Sequence, residues 1–153
     1  MGQLFKEYLS GDLIYCCSIC KAHAATHDQI YAKTFQGRFG PAYLFNHVVN
    51  VCLGPREERI LMTGLHTVMD IHCSSCFQIL GWRYEKAYEE KEKYKEGKYI
   101  MEKARMDVEN IANLFIRNSW KSRQQVASSH VSECNCAGVL LDALESAEVC
   151  GCS

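Results

Sequence analysis

Apolar and polar residues change places over short runs along most of this chain, and Gly, Pro, Asn and Ser separate the runs. Short runs rich in aromatic and β-branched residues, punctuated by turn formers, predict strands. Residues 1–16 read as an approach strand: Leu4, Phe5, Tyr8 and Leu9 are apolar, a turn falls at Ser10-Gly11-Asp12 within residues 1–12, and Leu13, Ile14 and Tyr15 follow. Residues 42–52 read as one strand that Gly54-Pro55 ends, and Arg56 to Arg59 form a charged loop. Ile60 to Thr63 and His66 to His72 make two further strands joined at Thr63-Gly64. The second run places His66 and His72 on one face by alternation. Another strand runs over Gly81 to Glu85, with aromatics alternating at Trp82 and Tyr84, and Tyr99 to Met101 is the last. Between them, residues 86–98 mix Lys, Glu and Tyr and predict a solvated loop or one short helix.

The pattern changes near Lys103. Met106, Val108, Ile111, Ala112, Leu114 and Phe115 are spaced for a partly amphipathic helix. A polar stretch follows from Asn118 to Ser132, then a second helix candidate at Ala137 to Val149. The reading is a β domain over residues 13–102, entered through residues 1–12, and a C-terminal extension over 103–153 that is helical or disordered.

Charge adds mainly exclusions. The chain has 17 basic and 18 acidic side chains, so it lacks the clustered basic excess that phosphate binding demands, and no nucleic acid is expected as a partner. No stretch approaches the roughly 20 apolar residues of a bilayer span, and no membrane association is expected. The N-terminus has no signal-peptide core, which predicts nucleus or cytoplasm.

The chain has ten cysteines, and in a reducing compartment the paired ones are better read as metal ligands than as disulfides. Cys17 with Cys20, and Cys73 with Cys76, have the two-residue gap that turns both thiolates of a backbone knuckle toward one ion. Together they supply the four sulfurs zinc prefers, so one structural Zn²⁺ per chain is expected. The 52 residues between the pairs, 21–72, exceed the roughly 15–20 of a small zinc ribbon, which makes the ion a staple between distant parts of a larger sheet structure. Four sulfurs leave no open position for catalytic water. Cys134, Cys136, Cys150 and Cys152 have one-residue gaps, a weaker knuckle, in a Ser- and Ala-rich flank that also fits a disordered tail. His23 and His27 are four apart, a spacing open to metal or proton chemistry or to simple hydrogen bonding.

Tyr43, Phe45, Trp82 and Tyr84 are candidates for a ligand or partner surface, because aromatic cages hold planar and cationic groups; alternating aromatics also build cores. Gly37-Arg38-Phe39-Gly40 lacks phosphate-loop spacing, and no nucleophile, base and acid set is recognisable. Catalysis therefore has no sequence support.

Tyr15 with Cys17 and Cys20, Thr34-Phe35-Gln36-Gly37, Ala42-Tyr43-Leu44-Phe45, Val48 to Val51 and Gly54-Pro55 form an ordered set of motifs. It continues through Leu61 to His66, Asp70-Ile71 before Cys73 and Cys76, Leu80-Gly81-Trp82, Tyr84-Glu85 and Lys93 to Lys98. This series, over roughly residues 13–102, resembles the Yippee-like proteins. The resemblance implies a β-tent, two antiparallel sheets pinned by zinc on Cys17, Cys20, Cys73 and Cys76, similar to the cereblon ligand-binding domain and the methionine sulfoxide reductase B scaffold. It also implies a non-catalytic regulatory or protein-interaction module, in some relatives resembling a ubiquitin-ligase subunit, with protein partners or a small ligand. The alternatives are a sulfoxide reductase acting through Cys52 or Cys16, and a nucleic-acid-binding zinc module.

Overall fold

The computed structural model describes residues 5–112. Among these described residues nine strands form in chain order: β1 (Leu13–Cys17), β2 (His23–Thr26), β3 (Ile30–Gly37), β4 (Gly40–Phe45) and β5 (Val51–Leu61), then β6 (Gly64–Cys73), β7 (Ile79–Ala87), β8 (Tyr99–Glu102) and β9 (Met106–Asn110). They make two antiparallel sheets. One has three strands in the order β2-β1-β9, the other six in the order β3-β4-β8-β7-β6-β5. This is the β-tent that the resemblance implies. No helix among the described residues is long and apolar enough to cross a membrane.

Local chemistry explains the hairpins. Gly64, at φ +106°, adopts a backbone that L side chains resist, and the tight link between β5 and β6 needs it. At the β3–β4 hairpin, a Cβ on Gly37 would lie 2.5 Å from the Glu102 carboxyl. That carboxylate is buried and accepts the backbone N–H groups of Arg38 (2.8 Å) and Phe39 (3.1 Å), fixing the turn from beneath. Gly81 serves a third purpose, since β7 and β8 approach so closely that a Cβ there would sit 2.0 Å from the Ile100 carbonyl oxygen. Gly81→Ala is therefore expected to destabilise the domain by about 1–3 kcal/mol through forced separation of these central strands. A urea melt checks it, and an unchanged midpoint would refute it.

Two apolar clusters fill the domain. The first, beneath the cysteine pairs, joins Tyr15, Phe45, Ile71, Leu80, Met101 and Met106 across both sheets. The second lies within the six-stranded sheet, around Leu44, Val68, Trp82, Tyr84 and Ile100.

Several expectations are corrected. Met106 to Asn110 is not helical: it is β9, paired with β1 from Leu13↔Asn110 to Cys17↔Met106, with Met106 buried and Val108 exposed. The sheet thus continues past residue 102. The rest of that helix candidate beyond residue 112, the candidate at Ala137 to Val149 and the four tail cysteines lie outside the described residues. Residues 42–52 are not one strand. β4 stops at Phe45, residues 46–50 are held by Asn46 N–H donating to Gln29 O and Val49 N–H to Ala24 O, and Asn50 turns the chain at φ 56°.

Gly54-Pro55 does not end the next strand, nor do Arg56 to Arg59 form a loop. β5 runs through both with a bulge between Leu53 and Arg56, and it can carry Pro55 because it is an edge strand, where a missing N–H breaks no ladder. Among the described residues of the approach segment, only Leu13 to Cys17 is strand. Its earlier described part is anchored by Glu7 N–H donating to Asn50 Oδ1 and Leu9 N–H to His23 Nδ1. His23 and His27 lie on β2 and a 3₁₀ turn (His27–Gln29), not on one helix. His66 is buried while His72 is half-exposed, because register irregularities along β6 break simple alternation.

Candidate metal centre

Cys17 ends β1 and Cys73 ends β6, so each sheet delivers one knuckle. The two knuckles share one construction. Lys21 N–H donates to Cys17 O (3.0 Å) and Phe77 N–H to Cys73 O (2.8 Å), while Cys17 N–H donates to Ala22 O (2.9 Å) and Cys73 N–H to Gln78 O (2.8 Å). Lys21 and Phe77 follow the second cysteine of each pair at φ 59° and 60°, the left-handed step that returns the chain to its sheet.

The sulfurs of Cys17, Cys20, Cys73 and Cys76 all lie within 4.8 Å of one another. Cys17 Sγ is 3.5 Å from Cys76 Sγ, and Cys20 Sγ is 3.4 Å from Cys73 Sγ. A disulfide needs about 2.05 Å. Tetrahedral zinc with Zn–S near 2.3 Å implies sulfur separations of about 3.8 Å, so this set fits the ion.

Electrostatics lead to the same reading. Burial pushes the Cys17 thiol up to about 12 and raises that of Cys73. For Cys20 burial again opposes the thiolate, but the Ala22 backbone and the Cys73, Cys76 and Cys17 thiols outweigh it and bring the group down to about 7. Four thiolates cannot gather here without a compensating cation, and a zinc ion held by Cys17, Cys20, Cys73 and Cys76 would supply that charge. Gln78 stands beside the set: its amide oxygen is 3.2 Å from Cys17 Sγ and 3.4 Å from Ser18 Oγ.

Comparison with known proteins agrees. The family model described as "Yippee zinc-binding/DNA-binding /Mis18, centromere assembly" matches residues 13–118. The chain belongs to the Yippee–Mis18 family. A putative yippee-like protein of Oryza sativa subsp. japonica is 62% identical over 114 residues, covering 69% of this chain and 96% of the relative. The human protein yippee-like 3 is 58% identical over 96 residues, covering 63% of this chain and 81% of its own length. In fold, the crystal structure of a Mis18 "Yippee-like" domain matches with a TM-score of 0.52 at 12% identity, over 64% of this chain and 95% of that one.

A cleft of about 990 Å³ lies next to the clasp in this Yippee-family domain, bordered by Ile19 and Phe77 from the two knuckles. The structure divides the four sequence-chosen aromatics. Phe45 is fully buried and Tyr43 half-buried, both packed around Tyr15 (5.4 and 6.1 Å between ring centroids), so Phe45 presents no surface and acts as core. Trp82 and Tyr84 are also buried but form a wall of the cleft. Burial pushes the Tyr84 phenol up to about 12, keeping it neutral.

Sequence reasoning missed the residues that give this cleft its chemistry. Lys95 is 2% exposed, its ammonium 2.6 Å from Glu92 and 2.8 Å from Thr63 Oγ1, and within 5.3–5.8 Å of the Phe35, Tyr84 and Tyr94 ring centroids. These rings share only Tyr84 with the four aromatics chosen from the sequence, and they surround the chain's own lysine. Of the other cations lining the cleft, Arg59 is held by Glu57 and Asp70. Arg38 is exposed, and Arg105 stacks 4.3 Å over Phe39. Lys95 was hidden in a charge run that reads as solvated, and no local signal exposes it.

Neither candidate nucleophile faces the cleft. Cys16 is fully buried and its thiol is pushed up to about 12, chiefly by burial, with Glu109 adding to it. Cys52 is exposed on β5 away from the lining residues.

Proposed function

We propose that this Yippee-family chain is a non-catalytic, zinc-stapled interaction module of the nucleus or cytoplasm, which binds a protein partner through the cleft beside the clasp and serves as a regulatory adaptor, of the kind associated with ubiquitin ligases. The observation that carries this reading is the pairing of a closed four-sulfur site with an open, largely apolar cleft. The metal leaves no position for substrate, whereas the cleft rim exposes Phe39 (53%), Ile60 (87%) and Met62 (95%), large side chains that a monomer has no folding reason to leave in water.

The placement of Cys16 and Cys52 weighs against sulfoxide reduction, which needs a reactive thiolate where substrate can sit. A nucleic-acid ligand would need more free cations than Arg38 and Arg105 offer at the cleft.

Affinity capture from the native cell with the wild-type chain and an Ile60→Asp/Met62→Asp variant tests the reading. Partners held by the wild type are expected to be lost from the variant at equal stability. Capture unaffected by the variant, or methionine sulfoxide turnover that Cys52→Ser abolishes, would overturn it.

A further inference from the structure

β7, an interior strand of the six-stranded sheet, borders the cleft with Ile79, Gly81, Trp82 and Tyr84. The two terminal strands of the six-stranded sheet border it as well. Residues 34–37 of β3 line it consecutively, as do residues 59–61 of β5 with the turn after them. β3 and β5 thus both border the cleft, and these are the strands whose outer backbone groups have no neighbour within the sheet. Residues of both terminal strands therefore border one trough.

The edges are not equivalent. β5 carries Pro55 and the charged run Arg56 to Arg59, features that discourage pairing with another chain. Thr34, Phe35 and Gln36 of β3 carry neither charge nor proline. At the end of β3 stand Arg38 and Arg105, which have no acidic partner among the described residues. The acids that line the cleft are committed: Asp70 to Arg59, Glu92 to Lys95, Glu102 to the hairpin N–H groups.

From this geometry we infer that the trough binds an extended peptide segment of a partner protein as an added strand on the Thr34–Gln36 edge of β3. Its apolar side chains alternate onto the Trp82 wall and toward Ile60 and Met62, and an acidic side chain meets Arg38 and Arg105. Backbone hydrogen bonds hold the peptide and alternate side chains select it. The inference rests on the interaction-module reading and names the chemistry of the partner.

The probe is a phage-displayed library of random dodecapeptides, selected on the zinc-loaded full chain, and the enriched peptide is then synthesised with a fluorescein label for polarisation titrations. Enriched sequences are expected to alternate apolar residues and to carry Asp or Glu. N-methylation of single amides is expected to weaken binding at least tenfold at every second position and little at those between. Arg38→Glu is expected to weaken it at least fivefold, and because Arg38 is exposed the fold is untouched. An unenriched library, an N-methyl series without alternation, or indifference to Arg38→Glu each overturns strand addition at β3. Partner capture that Ile60→Asp/Met62→Asp abolishes would then leave the interaction-module reading standing without it.

Discussion

Stripping the metal, or replacing Cys73 with Ser, is expected to leave no cooperatively folded β-tent at 37 °C. Cys17 and Cys73 are the last residues of strands in different sheets, and the first apolar cluster lies directly beneath them. The ion closes the domain where the sheets have no hydrogen-bonded strand in common. Structural zinc in small domains supplies roughly 10 kcal/mol or more at neutral pH, comparable to the whole 5–15 kcal/mol of a typical domain's stability. Metal analysis should find one zinc per chain. The melting temperature of Cys73→Ser should fall by more than about 20 °C, at roughly 4–8 °C per kcal/mol for a unit of this size, while Cys52→Ser should melt like the wild type.

Proton release gives the same claim a pH signature. The metal-free clasp holds Cys17 near about 12 by burial, so zinc must displace its proton on binding. Apparent zinc affinity therefore falls as pH drops, and a chelator competition read at pH 7.5 and at pH 6 should show weaker retention at the lower value. A chain purified without zinc, or a Cys73→Ser variant with an unshifted melt, would sink the structural role.

The clasp was legible because its signal is local. Two residues between thiols fix a knuckle whatever surrounds it, and both knuckles close with the same hydrogen bonds. The Thr63-Gly64 turn was legible for the same reason, since it needs a residue that tolerates positive φ. What failed was decided at long range. Met106 to Asn110 has weak spacing of its own and becomes a strand because β1, some ninety residues earlier, presents an edge to it. Pro55 reads as a terminator until β5 is known to be an edge strand, and edge position is a property of the sheet rather than of the segment. Phe45 and Trp82 look alike in sequence, each aromatic on a strand, yet one packs under the clasp and the other against the cleft.

The Lys95–Glu92 pair is the other place where a single change should have a large effect. Lys95 is 2% exposed and Glu92 8%, so removing either partner strands a charge away from water. Breaking a buried pair costs about 3–5 kcal/mol, mostly as the penalty on the group left behind. Lys95→Met is the more damaging single change, because the Glu92 carboxylate then keeps no cation, and its Oε2 is 2.6 Å from the ammonium it would lose. Glu92→Gln should cost less, since Thr63 Oγ1 and the Phe35, Tyr84 and Tyr94 rings still surround the ammonium. The double variant Lys95→Met/Glu92→Leu removes both charges and should recover most of the loss. Urea melts of the three variants test the order, and single variants within about 0.5 kcal/mol of wild type would show that water already reaches the pair. The order also bears on recognition. Lys95 fills the ring set that a partner's cation would need, so under the proposed peptide binding the apolar walls and the guanidinium groups of Arg38 and Arg105 would select the ligand.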